Sequence, residues 1–348
     1  MPRGIVGLEP TQTLRESVDK TYEEDKFIAL WYIEGLGHWY GDSYWERGKT
    51  PAEIRSANNL RERDGFWETG HTGVLGRDAV KTLKGGLEDG SLTMLNAGIG
   101  LSIAQSMLST INHLSPASEI RRVVETVANL CRENATPGFE GAAIESMGLV
   151  TRSALFSGDV RADLMVPKVA QALSETFGAN AEELGFFWHG AGRAHYFAPP
   201  NLLPYYGSIE HGFEMVLRQL AAAKADDAAR HSALAGFWWA VTVVNMRTPQ
   251  VLENALARMG TRAAGEPGFK NGVMSATIMR QDTTPGADFI ETFYTHKPKD
   301  EKVAGLWDEF VGVPGKQAVK EYWPALKSSR LLGQVFRYHQ DLGALVPK

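Results

Sequence analysis

A chain of 348 residues with 43% hydrophobic content can bury a sizeable core and exceeds the usual size of one compact domain. Its formal net charge of −5 and its scattered basic residues exclude nucleic acid as the main partner, because phosphate binding needs a concentrated basic face. The single cysteine, Cys131, excludes an internal disulfide and any multi-cysteine metal site. It fits a reducing compartment, so a cytoplasmic protein is expected.

Met1 to Lys20 is mixed and charged, without the basic start and apolar run of a signal peptide. No stretch approaches the roughly 20 apolar residues of a membrane span. The longest candidate, Ala233 to Met246, reads as a buried helix, so any membrane association is peripheral and runs through a partner or a surface patch.

Thr11 to Trp45 reads as helical, with Phe27, Leu30, Trp31, Ile33 and Leu36 following an acidic cluster at Glu23, Glu24 and Asp25. A polar excursion through Asp64 follows. Helices are then expected at Leu92–Leu114, at Ser118–Asn134, where Ile120, Val123, Val124, Val127 and Leu130 keep helical spacing, and from Phe139 to Leu155. The prolines at 199, 200 and 204 mark the strongest central break. Beyond it, helices are expected at Ile209–Ala228, Ser232–Met246, Pro249–Met259 with Thr248 as N-cap, Lys270–Met279 and in a last set from Asp300 to Leu342. No run alternates as a half-buried strand does. The expected architecture is mainly α, a stacked or bundled helix array, with an N-terminal helical extension (1–90) and two helical halves (91–198 and 205–348).

One spacing recurs through these segments: a glycine followed four residues later by a small residue. It occurs at Gly37/Gly41, Gly100/Ala104, Gly190/Ala194, Gly236/Ala240 and Gly272/Ala276, with a near-variant at Gly138/Ala142. Positions i and i+4 share a helix face, so each segment presents a flat stripe on which another backbone can lie.

The chemistry concentrates in a few places. Glu34 and His38, at i and i+4, can hold a metal ion or form an oriented general base, or can be an ordinary polar pair. Glu140 and Glu145 flank a small, apolar stretch, so at least one carboxylate is expected to enter the interior, as a functional group or in an ion pair with an arginine; Glu140 is preferred. The segment Trp188 to Phe197 is richest: His189 and Arg193 share a face if it is helical, and His195 lies near its end. Its histidines suit proton transfer and its arginine suits a carboxylate or phosphate. His211 and Arg280 are secondary candidates. Trp188, Tyr196, Trp238 and Trp239, in aromatic clusters, either fill the core or line a cavity for a flat or chain-like ligand. No nucleophile elbow, zinc signature, phosphate loop or dinucleotide fingerprint is present, so no motif requires a cofactor.

Phe139-Glu140-Gly141-Ala142-Ala143-Ile144 resembles the Phe-x-Glu-Gly-Ala-Ala-Met stretch of a bacterial family, domain of unknown function 1702, called UnbL-like in enediyne polyketide clusters. Gly190-Ala191-Gly192-Arg193 is similar to that family's Gly-x-Gly-Arg segment. Gly236 to Ala240, and Asn271 to Ala276 with Arg280, are similar to its later Gly-x-x-x-Ala helices. The likeness runs from about Leu92 to Leu306, with Ile144 in place of the family's Met and Asn245-Met246-Arg247 in place of its Gly-Gly. The resemblance implies a role in building an enediyne or related polyene-derived natural product. Glu140, Arg193 and Arg280 carry over as motif positions with open roles.

Together these observations lead to an expected accessory enzyme that cyclises or rearranges a long unsaturated chain. A hydrophobic, polyene-like small molecule would be its ligand, and other biosynthetic subunits, a membrane protein among them, its possible partners. Two alternatives stand beside it: a non-catalytic polyene-binding or scaffold subunit, and a metal-dependent helical-bundle enzyme built on Glu34 and His38.

Overall fold

The computed structural model describes residues 92–153, 161–196, 209–283 and 287–346, and among them there is no strand. The expected helix at Thr11–Trp45, the Gly37/Gly41 pair, Glu34, His38 and the proline-rich break lie outside the described residues.

Five helices form a continuous row. They are α1 (Leu92–Leu108), α3 (Glu140–Arg152), α5 (Glu182–Tyr196), α7 (Asp227–Asn245) and α10 (Pro267–Thr283), each packed on the next. The helices between them in sequence, α2 (Ala117–Asn134), α4 (Ala162–Phe177), α6 (Ile209–Ala223), α8 (Gln250–Met259) and the short α9 (Thr261–Ala264), make a second layer. Patterning explains the layering. Helix α2 buries only the stripe Ile120, Val123, Val124, Val127, Ala128 and Cys131, whereas α3, α5 and α7 are buried on all sides from Ala142 to Thr151, Phe186 to Tyr196 and Ser232 to Asn245. A helix apolar all round needs neighbours on every face. Buried side chains on both sides of 197–208 belong to one hydrophobic cluster.

Glycine sets the spacing of the row. A Cβ on Gly148 would lie 1.9 Å from Phe187 O and one on Gly190 2.0 Å from Glu145 O, so α3 and α5 each place a glycine against the other's backbone. Helices α5 and α7 repeat the arrangement, with Gly192 facing Ala233 O at 1.8 Å and Gly236 facing His189 O at 1.9 Å. Gly100 against Ala143 and Gly272 against Ala235 extend it to both ends. Gly138 differs: its φ of 91° puts it in the turn before α3, so it shares no helix face with Ala142.

Several boundaries depart from expectation. The expected Ile209–Ala228 helix stops at Ala223, because Lys224 turns left-handed (φ 52°) and Asp226 starts α7 by accepting the Ala229 N–H. Thr248 provides no side-chain cap; its carbonyl accepts from Val251 N, and α8 begins at Gln250. Helix α4 was not legible because Pro167 lies inside it. Proline lacks the N–H that would reach the carbonyl four residues back, and Gln219 Nε2 of α6 donates to that carbonyl, Asp163 O, at 3.3 Å.

After α11 (Asp288–Thr295), α12 (Glu301–Trp307) continues through π-helical turns at Asp308–Gly312 and Ala318–Tyr322 into α13 (Val313–Gln317) and α14 (Trp323–Ser328). Each π turn immediately precedes an α segment whose second residue is proline, Pro314 or Pro324. The wider turn relieves the clash between the proline ring and the preceding turn. The tail then returns over the start of the row through 3-10 turns at Leu332–Phe336 and Leu342–Leu345, with Gly333 against Gly138 O and the Phe139 backbone.

Candidate functional site

Glu145 of α3 and His189 and Arg193 of α5 meet in the middle of the row. Because α3 and α5 touch at backbone distance through Gly148 and Gly190, Glu145 and Arg193, each one turn from these glycines, and His189, next to Gly190, are brought together. His189 Nδ1 lies 2.9 Å from Glu145 Oε1, and Arg193 Nη2 donates to Glu145 Oε2 at 2.8 Å. Glu145 and His189 are completely buried and Arg193 nearly so. A carboxylate only accepts, so the imidazole proton sits on Nδ1 and Nε2 is left with its lone pair. That Nε2 is buried and has no hydrogen-bond partner among the described residues. Burial is the largest influence on His189 and pushes its pKa down; the bond to Glu145 opposes it. The imidazole is therefore neutral at pH 7.

Aromatic rings surround this group. Phe336 stacks on His189 with centroids 5.6 Å apart, Trp239 of α7 meets it edge-on at 6.1 Å, and the Arg193 guanidinium lies 5.2 Å from the Trp239 ring centre. What results is a neutral histidine base in an apolar, water-poor setting, its tautomer set by a carboxylate that an arginine pairs in turn.

The remaining candidates fall elsewhere. Glu140 stands at the start of α3, where its Oε2 accepts the Gly138 N–H at 2.9 Å; the carboxylate that meets His189 and Arg193 is Glu145. His195 points away from His189, within hydrogen-bond distance of Arg152 Nε (3.2 Å) and Gln219 Oε1 (2.6 Å). Burial, then the Arg152 charge, push its pKa well below the usual histidine range. Tyr196 accepts from Asn245 Nδ2 at 2.7 Å, and Arg280 donates from Nε to Val243 O at 3.0 Å while its guanidinium lies 5.8 Å from the Phe289 ring centre. Trp238 turns to Phe213 and Phe269 on the other side of α7 from Trp239, so the two neighbours serve different surroundings. His211 is exposed on α6. Among the described residues no group of three His, Cys, Asp or Glu side chains could hold a metal ion.

Trp188 opens elsewhere again, into a cleft of about 540 Å³ between α4, α5, the α6–α7 turn and the tail. Sequence reasoning missed Phe336, Gln219 and this cleft. The first two are distant in the chain from what they touch, and a cleft has no sequence signature.

Fold and site define a mainly α protein with a tight row of glycine-seamed helices and a buried Glu–His–Arg cluster. No family model, no curated protein and no solved structure matches this chain. Among the described residues no helix is long and apolar enough to cross a membrane.

Proposed function

We propose that this chain is an accessory enzyme of polyene-derived polyketide biosynthesis that moves a proton on a long unsaturated chain, with His189 Nε2 as the base. The observation that carries the reading is the orphaned, buried Nε2 opposite an Nδ1 held by Glu145. An unpaired buried nitrogen costs about 1–3 kcal/mol, and a catalytic role is one reason for a protein to keep such a group. The rings of Trp239 and Phe336 around it suit an apolar partner. The sequence likeness to the UnbL-like family supports the substrate class.

In this reaction Nε2 removes a proton from an activated carbon of the chain, the electron pair shifts into the conjugated system, and the imidazolium returns the proton at another carbon. Atoms and electrons balance without oxidant or cofactor. Glu145 stabilises the imidazolium through the retained Nδ1 bond, and Arg193 fixes Glu145. Positioned proton transfer of this kind contributes about 10²–10⁴ in rate.

A second reading follows from one observation: His189 has no exposed surface. On that reading the cluster is a structural lock, and the protein is a non-catalytic polyene-binding or scaffold subunit of a biosynthetic complex. The test is mass spectrometry of small molecules retained by the protein from its own host, followed by incubation of that ligand with wild type and His189→Gln. Conversion lost in the variant supports the enzyme. A retained polyene that neither protein converts supports the binding subunit, and the absence of any unsaturated ligand overturns both.

A further inference from the structure

We propose that the short helix α14 is a proton-controlled clasp: it closes over the Asp282 carboxyl while that group holds a proton and lets go when the proton leaves, loosening the tail that carries Phe336. The regulatory meaning of that loosening at His189 rests on the proton-transfer reading; the clasp itself does not.

Asp282 lies in the last turn of α10, its side chain 1% exposed. Its Oδ1 accepts the Trp323 Nε1–H at 3.1 Å, and Lys327 Nζ lies 3.9 Å from the same oxygen. Its Oδ2 is buried and has no hydrogen-bond partner among the described residues. Both partners of the carboxyl belong to the six-residue α14. The other charged groups on the elements packed against α10 lie elsewhere. Lys316, Lys320 and Glu321 of α13 and the second π turn, Asp308 and Glu309 of the first, and Asp288 and Glu291 of α11 are exposed. Arg280 of α10 and Arg247 stack on Phe289, Arg262 of α9 pairs with Glu214, and the charged residues of α7, Asp227 to His231, lie towards the start of α10, where Gly268 meets His231 O.

Burial sets the balance. It raises the carboxyl to about 7 although the Trp323 N–H and Lys327 both pull the other way, so those two do not offset the loss of water around the charge. Undocking of α14 gives the carboxylate water and returns it to the usual 3.8. The closed state thus keeps a proton that the open state gives up, and opening rises with pH from about 4 to 7 and levels off above. Little else holds α14, because Leu326 is its one buried residue; sparse burial marks the segments that open locally. A helix of this length does not persist alone in water, so its backbone bonds are lost on release. It leads through Arg330, left-handed at φ 57°, into the turn Leu332–Phe336 that sets Phe336 on His189.

The test is native-state hydrogen exchange of the full chain from pH 5 to 8, corrected for the intrinsic pH dependence of exchange. It is read at the amides of Ser329 and Leu331, which donate to Ala325 O and Leu326 O. Their protection should fall about five- to tenfold per pH unit from 5 to 7 and level off above. At pH 8 it should be on the order of a hundredfold below that of the amides of α7, which open with the whole fold. Asp282→Asn, which cannot ionise, should abolish the slope, and Lys327→Gln, which removes a charge that favours the carboxylate, should move the levelling-off to higher pH. A flat wild-type profile, a slope that survives Asp282→Asn, or protection equal to that of α7 overturns the clasp. At pH 8, diethyl pyrocarbonate should modify His189 several-fold faster in wild type than in Asp282→Asn; equal rates overturn the link to His189. Neither measurement needs turnover, so a failed clasp and a failed catalytic reading are told apart.

Discussion

Phe336, from the first 3-10 turn of the returning tail, stacks on the imidazole of His189 with ring planes 29° apart, and also meets the ring of Trp239, with centroids 5.3 Å apart. A side chain almost 150 positions further along the chain thus completes the wall around a buried histidine that a carboxylate orients. Phe336→Ala removes a fully buried ring and should cost about 3–5 kcal/mol in denaturant unfolding. The same variant should expose His189 to diethyl pyrocarbonate. Protection equal to wild type in a folded Phe336→Ala protein would show that another element covers the imidazole.

Breaking the cluster from the acidic side should be costly. Glu145→Ala leaves Arg193 buried without that partner, and removal of one member of a buried pair costs about 3–5 kcal/mol. Glu145→Gln keeps the shape and one acceptor and should lose less. Equal stability of the Ala variant and wild type, measured by urea midpoint at constant m-value, would refute the pairing.

The glycine seam makes a paired prediction. Gly236→Ala puts a methyl 1.9 Å from the His189 carbonyl, a backbone atom that cannot swing aside, and should destabilise by about 1–3 kcal/mol or more through overpacking. Gly305→Ala, in the exposed part of α12 with nothing within 4 Å of the added Cβ, should stabilise by about 0.5–1 kcal/mol. Thermal melts of both variants should move in opposite directions.

Asp282 gives the pH dependence. Burial raises its carboxyl to about 7, against the opposing pull of the Trp323 N–H and of Lys327. Between pH 4 and 7 the folded state holds this proton and the unfolded state does not, so the stability contributed by Asp282 falls as pH rises through that window. His339 acts in the other direction. Burial lowers it to about 4, so the folded state resists the proton that the unfolded chain takes up, and stability is lost as pH falls from about 6.5 to 4. Comparison with Asp282→Asn isolates the first effect: the variant should gain on wild type as pH rises from 4 to 7 and hold that gain above 7. A difference in melting temperature that is flat with pH would exclude the buried acid.

The sequence by itself determined the helical class, most helix positions and the glycine spacings, because these depend on local periodicity and on residue size. It also marked Trp188 to Phe197 and the Glu140–Glu145 stretch as places where polar groups enter an apolar setting. Only the tertiary structure decided that Glu145 rather than Glu140 meets His189 and Arg193. That choice depends on the rotation of α3 against α5, which is set where Gly148 and Gly190 bring two backbones into contact. The same holds for helix α4, whose Pro167 becomes tolerable through a side chain 52 residues later, Gln219, and for Phe336 on His189. Periodicity reads what neighbours along the chain do to one another; a partner supplied from a distant segment is decided by how the segments close together.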